Sequence, residues 1–247
     1  MTIDSTLPPR DRILQAAASL LAEHGRDGVS TRSVSALAGV QPQTIYRQYG
    51  DMRGLLNAVA KSGFASYLKA KSSQGSSGNP VADFRHGWDM HVEFALGNPA
   101  LYALMYGDPR PGLESATSDI EAALGGVLHR VALAGALKIG VAKATQQVLA
   151  ANVGVALALL TAQSRGEIVG TGSALSVDMR EMLVGWLMDE GDTLPKAGSA
   201  DNGASTAAVS AAALGASLPS VKSRFSAGEL SLLAELLDRI GTDILPR

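Results

Sequence analysis

The chain has no cysteine among its 247 residues. That rules out disulfides, thiolate-bound metals and a cysteine nucleophile. Aromatic side chains are scarce, at 4% of the sequence, so any place where they gather carries weight. Long apolar runs are missing too. The longest, residues 153–162, falls well short of the roughly 20 residues a membrane-crossing helix needs. The opening MTIDSTLPPR is polar and proline-broken, unlike a secretory signal. A cytoplasmic location without membrane association is therefore expected. No glycine-rich phosphate loop, zinc-ligand spacing or Ser-His-acid order occurs, so no cofactor and no metal is expected.

The charge that is present is unevenly spread. Net charge is −2, yet residues 1–71 hold nine Lys or Arg against five acids, while the remainder holds 12 against 18. A basic head on an acidic body places phosphate affinity at one end.

Within that head, TRSVSALAGVQPQTIYRQY (Thr31–Tyr49) reads as two short helices around a tight turn. Thr31 is suited to cap the first, because a side-chain oxygen satisfies a free backbone N–H there. Val34, Leu37 and Ala38 follow at helical spacing and bury one face. Gly39 is the stop, since glycine adopts the left-handed conformation without steric penalty. Val40 plugs the turn, and Pro42 opens the second helix, where its missing N–H costs nothing. That helix buries Ile45 and Tyr49 and turns Gln43, Thr44, Arg47 and Gln48 outward. Such side chains donate and accept at base edges and phosphates, the arrangement of a helix-turn-helix with a recognition helix.

The flanks complete a three-helix head. Pro9 to His24 is a first helix with Ile13, Ala17, Leu20 and Leu21 as its stripe, ended by Gly25. Asp51 caps a long fourth helix reaching about Lys71, with Leu55, Leu56, Val59 and Ala60 inward. Arg53 lies near its positive N-terminus, where a phosphate would sit.

These residues resemble the N-terminal domain of the TetR family of bacterial transcriptional regulators. The resemblance covers Arg10–Leu56 and rests on RILQAAASLLAEHG, the threonine opening the second helix and AGV in the turn. It continues through Thr44-Ile45-Tyr46, the aromatic at Tyr49 and Leu55-Leu56. It departs at Met52, where the family usually carries a phosphate-binding lysine, and at Gln48, where histidine is common. The resemblance implies an all-α fold: an N-terminal three-helix helix-turn-helix domain followed by a helical ligand-binding and dimerisation domain. The expected partners are a double-stranded DNA operator, a small hydrophobic effector and a second copy of the chain. Arg32, Gln43, Thr44 and Arg47 are the expected base contacts. Thr31, Tyr46, Gln48 and Arg53 are the expected phosphate contacts.

Seven of the eleven aromatic residues lie between Phe64 and Tyr106. Core packing accounts for any single one. As a cluster with polar tips, Phe64, Tyr67, Phe84, Trp88, His91, Tyr102, Met105 and Tyr106 suit a small-molecule cavity. The segment FALGNPALYALMYG also resembles the effector domain of many actinobacterial members of the family. An alternative reading is an all-α enzyme with acid–base chemistry around His86 and His91, using Asp83 or Asp89. The two histidines are five apart and lie on different helix faces, a poor metal pair.

Beyond them, Asp108–Gly112 reads as a turn and Ala116–Leu133 as a helix. Lys143–Gln163 is a nearly uncharged helix that must be covered on most sides, and Val177–Asp189 is its companion. Two such helices from each of two chains would build a four-helix bundle. Residues 194–220, rich in Ala, Gly and Ser, read as a linker, helical at most around Ala207–Leu214. A capping box at Ser226–Glu229 opens a last helix with a stripe of Leu230, Leu233, Leu236, Leu237 and Ile240. The expected organisation is an arm (1–9), the helix-turn-helix domain (10–56), the effector and dimerisation domain (57–193), a linker (194–224) and a C-terminal helix (225–247).

Overall fold

The structure, a computed structural model, describes residues 3–4, 6–72, 77–107, 114–189 and 202–242. Among these residues it is all-α, and the only extended pairing is an isolated antiparallel bridge between Leu137 and Met188. The helices are α1 (Pro9–His24), α2 (Thr31–Ala38), α3 (Pro42–Tyr49), α4 (Met52–Ser72), α5 (Pro80–Gly97) and α6 (Pro99–Tyr106). They continue with α7 (Glu114–Leu133), α8 (Val141–Ser164), α9 (Ala174–Leu187), α10 (Asn202–Val221) and α11 (Ala227–Thr242). Residues 108–112, read as a turn, lie outside the described residues.

Two compact units emerge, and they do not follow the expected boundary at 56/57. The first comprises residues 1–74, 93–120 and 156–168, and the second 75–92, 121–155 and 169–247. The head therefore shares a unit with all of α4 and with α6. The reason is apolar continuity: Leu55, Leu56, Val59, Ala60, Phe64 and Tyr67 form one buried stripe along α4. That stripe runs past the end of the helix-turn-helix without a polar break. In this unit α1 packs on α2, α3, α4 and α6, and α4 also packs on α6. The α4–α6 approach is close enough that a Cβ on Gly63 would stand 2.5 Å from Leu101 Cδ2.

In the second unit, the chain after α7 pairs with the end of α9. Lys138 N donates to Leu187 O at 2.8 Å, and Asp189 N donates to Ala136 O at 2.8 Å. Helix α10 corrects the reading of 194–224 as a linker. Residues 194–201 lie outside the described residues, but 202–221 is a helix of 20 residues. Gly215 and Pro219 disguise it in the sequence. Alanine has the best intrinsic helix propensity, and Ala208, Ala211, Ala212 and Ala216 are buried along α10, which packs on α11.

The capping box of α11 forms as expected: Ser226 N donates to Glu229 Oε2 at 2.8 Å, and Glu229 N donates to Ser226 Oγ at 3.3 Å. Its stripe is narrower than the spacing implied. Leu230, Leu233 and Leu237 are half-buried, while Leu236 and Ile240 are exposed together with Leu232.

Helix α8 also extends beyond the expected apolar run. At 24 residues it is long and apolar enough to cross a membrane by length and composition. Its inward face includes buried Thr145 and Asn152 among Val148, Val155, Ala156 and Leu159. Thr145 Oγ1 donates within the helix to Val141 O at 2.8 Å, whereas the buried Asn152 Oδ1 has no partner among the described residues.

Candidate nucleic-acid interface and effector site

The turn between α2 and α3 is built by local chemistry. Ser30, not Thr31, is the N-cap of α2. Ser30 Oγ accepts from Ser33 N at 3.1 Å, and Ser33 Oγ accepts from Ser30 N at 2.9 Å. Ser33 Oγ also donates to Gly28 O at 2.7 Å, tying the cap to the preceding turn. A serine cap with serine three residues on imitates the usual Ser/Thr-x-x-Glu box, a signal present in the sequence. Thr31 is thereby released to face outward. Val34 and Ala38 are buried as expected, while Leu37 is only half-buried because Ser35 takes part of the inner face. Gly39 closes α2 in the left-handed conformation, with φ of 62°, and Pro42 starts α3.

Helix α3 is held at its C-terminus and in its middle. At its C-terminus the Tyr49 hydroxyl donates to Arg10 O at 2.8 Å, and the Arg10 guanidinium lies 5.2 Å from the Tyr49 ring centre. In its middle, the hydroxyls of Tyr46 and Thr31 are hydrogen-bonded at 3.1 Å, so two expected phosphate ligands are already paired and aligned. Ile45 is fully buried and anchors the helix. Opposite it, Gln43, Tyr46 and Arg47 are exposed, with Thr44 and Gln48 half-buried at the margin. Arg32 is exposed on the first turn of α2.

Asp51 caps α4 as expected, accepting from Gly54 N at 2.7 Å. The same carboxylate lies 4.0 Å from Arg53, whose side chain is 63% exposed. Sequence reasoning missed Gly54. A Cβ there would lie 2.1 Å from Tyr49 O, so only glycine lets α4 start this close to the end of α3. An isolated glycine in the first turn of a strongly apolar helix was the available signal.

The eight expected effector residues fall into two groups. In the first unit, Phe64, Tyr67, Tyr102 and Met105 are buried and Tyr106 is half-buried. Phe94, absent from the expected set, joins them: its ring centre lies 4.6 Å from that of Tyr67 and 6.5 Å from that of Phe64. Tyr102 and Tyr106 stack at 4.7 Å, beside Ala156, Leu157 and Leu160 of α8. Burial pushes the hydroxyls of Tyr67, Tyr102 and Tyr106 well above the usual tyrosine range. The cluster is therefore uncharged at any ordinary pH.

Phe84, Trp88 and His91 belong to the second unit. Trp88 is buried, and its Nε1 donates to Ser176 Oγ of α9 at 3.1 Å. The polar tip expected to meet a ligand is thus engaged within the protein. Beside it, Arg85 donates to both oxygens of Glu181, at 2.7 Å in its shortest bond, and Arg180 pairs with Asp89. Hydrogen bonds from Arg85, and secondarily from Arg180, hold the Glu181 carboxyl at about 2, below the ordinary glutamate value.

The acid–base reading finds no support in this geometry. His86 is exposed and His91 buried, Asp89 is bound to Arg180, and Asp83 Oδ1 accepts from Ser77 N at 2.9 Å. Among the described residues, no group of three or more His, Asp or Glu is placed to hold a metal ion.

Comparison with known proteins bears on the first unit. Residues 13–59 match the family described as bacterial regulatory proteins, tetR family. That segment, about a fifth of the chain, carries the helix-turn-helix of the tetR family. The match covers α2, α3 and the capped start of α4, the elements whose geometry is described above. An HTH-type transcriptional regulator of Mycobacterium bovis, itself uncharacterised, is 36% identical over 58 residues, 24% of this chain. The aligned segment spans only 31% of that relative's length.

Likeness in fold extends further. A solved structure of unknown function from a Rhodococcus species has a TM-score of 0.59 at 24% identity. It covers 74% of this chain and 97% of its own. A variant of TetR from Acinetobacter baumannii, in complex with minocycline, has a TM-score of 0.53 at 18% identity. That match covers 70% of this chain and 93% of the other.

Proposed function

We propose that the protein is a homodimeric, ligand-responsive transcriptional repressor. It binds a roughly palindromic DNA operator and leaves it when a small hydrophobic effector binds. The observation that carries this reading is the outer face of α3, where Gln43, Tyr46 and Arg47 are exposed on a helix pinned by Ile45 and Tyr49. A rigid helix with a polar, singly basic face is what major-groove readout requires. In this reading Arg32, Gln43 and Thr44 meet base edges and Arg47 reads guanine. Thr31, Tyr46, Gln48 and Arg53 hold phosphates, with Arg53 replacing the lysine absent at Met52.

Dimerisation is supported by what α8 and α9 leave uncovered. Leu175, Met182 and Trp186 are exposed on α9 at 45%, 56% and 51%. Ala150, Gly154 and Ala158 form an exposed line of small residues on α8. A second copy covering these faces would complete a four-helix bundle. Operator binding by such a dimer requires two α3 helices about 34 Å apart, one turn of DNA. Phe64, Tyr67, Tyr102, Met105 and Tyr106 are the proposed effector residues, and their uncharged environment favours a neutral, apolar molecule. The minocycline complex of the TetR variant from Acinetobacter baumannii supports ligand response within this fold. The effector acts by preferring the conformation that does not fit the operator.

The test is selection of bound sequences from a random DNA pool at a stated ionic strength. Enrichment of one palindrome with half-sites about one helical turn apart is expected. Salt-sensitive binding without sequence preference would overturn the base contacts, and no binding would overturn the function. Arg47→Ala is expected to relax one position of the selected site rather than weaken all sites equally.

A further inference from the structure

A cavity lies in the part of the protein that the helix-turn-helix and the aromatic cluster leave unexplained. It has a volume of about 700 Å³ and is walled by the end of α7, the start of α8, α10 and α11. That size is ordinary for a small-molecule site. Its construction depends on α11 coming down onto the chain ahead of α8. A Cβ on Gly241 would stand 3.6 Å from Gly140 N, and Asp238 Oδ1 lies 2.7 Å from where a Cβ on Gly140 would be. With a glycine on both sides, the last helix closes this end of the cavity.

The lining has two characters. One wall is apolar: Ala212 and Ala216 of α10, with Leu237 of α11. The other presents His129 from α7 together with Lys143 and Gln146, three residues apart on α8 and so on one face. Lys143 and His129 have no hydrogen bond or ion pair among the described residues, whereas the one acid in the lining, Asp238, is already engaged. Lys143 is therefore the lining cation whose hydrogen-bonding capacity is not already committed. An ammonium and an imidazole N–H facing an alanine wall suit a molecule with an anionic head and an apolar body.

We propose that this cavity is a binding site for a small amphipathic carboxylate. Lys143 and His129 hold the carboxylate, and the alanine face of α10 receives the apolar body. The site is separate from the aromatic effector cluster and does not depend on the function assigned to that cluster.

Calorimetric titration of the full-length protein with octanoate, and with octanol as its neutral match, tests the proposal. One-site binding of octanoate, clearly tighter than that of octanol, is expected. Lys143→Gln removes the charge from a half-exposed position and should weaken octanoate binding about tenfold, the scale of one charge-assisted hydrogen bond. It should leave octanol unchanged, and Lys143→Arg should retain most of the octanoate affinity. Gly215 also lines the cavity, and a Cβ there meets nothing nearer than 4.0 Å. Gly215→Leu should therefore fill the space and abolish binding of both probes, with unchanged helicity confirming the fold. Absence of octanoate binding would overturn the proposal, as would binding indifferent to Lys143→Gln and Gly215→Leu. Indifferent binding would leave the aromatic cluster as the place where octanoate sits.

Discussion

Helices α3 and α10 are built on opposite principles. Helix α3 is eight residues long, too short to persist alone; its ends are set by local punctuation, and Ile45 and Tyr49 anchor it to the rest of the head. Proline starts it, Ile45 plugs it, and Tyr49 reaches back to Arg10. Helix α10 is 20 residues long and has neither a marked amphipathic stripe nor a side chain of distinctive chemistry. What orders it is alanine propensity and the cover that α11 supplies. The first kind of helix is announced by punctuation, the second only by the helix that covers it. Perturbing them should give correspondingly different responses.

The largest effect is expected at Gly54. Replacing it with alanine sets a methyl against the Tyr49 carbonyl, and overpacking of this kind costs about 2 kcal/mol or more. Urea unfolding should show the loss, and operator binding should fall with it because α3 and α4 can no longer meet. Next is the double substitution Ala212→Gly, Ala216→Gly in α10. Each glycine costs a helix interior about 1 kcal/mol, so about 2 kcal/mol is expected together. Hydrogen exchange should place the loss in α10 and α11 while the protection of α1–α3 is unchanged. If both regions lost protection equally, the contrast between local and partner-dependent order would be wrong.

A smaller effect is expected at the N-cap of α2. Ser30→Ala should cost about 1 kcal/mol, read as a lowered melting temperature, whereas Thr31→Ala should cost less because Thr31 is not the cap. Its consequence should appear in DNA affinity. The smallest effect concerns Glu181. Its carboxyl is held at about 2, below its unfolded value, so the stabilisation is present above pH 4.5 or so and is lost as pH falls towards 2. Because the side chain is 40% exposed, solvent screening keeps the contribution below about 1 kcal/mol. Stability measured from pH 6 down to pH 2 should decline less steeply in Glu181→Gln than in the parent.

The head of the molecule was legible because its boundaries are set by residues with distinctive backbone or capping chemistry. Gly25, Gly39, Pro42 and Asp51 each act within four residues of themselves, and the bounds of α1 and α3 follow from them. Leu37 and Tyr49, expected to be buried, are only half-buried. The reading of Thr31 as the cap in place of Ser30 came from two adjacent hydroxyl residues that are equally suitable by type. Only the bond from Ser33 decides between them. The effector region was legible by composition but not by arrangement. Helical spacing placed Phe84, Trp88 and Tyr102 inside, yet it was silent on the commitment of Trp88 to Ser176, 88 residues away. It also gave no weight to Phe94, which completes the ring cluster.

The sequence by itself determined the all-α class, the two short helices of the turn, the basic head and the outward set on α3. All of these depend on propensity, caps and charge within a few residues. Only the tertiary structure decided that 202–221 is a helix, that Gly54 admits no side chain and that α11 closes a cavity at Gly140. Each of those depends on distances between segments far apart in the chain. Small residues, which carry almost no signal of their own, are what allow those segments to approach.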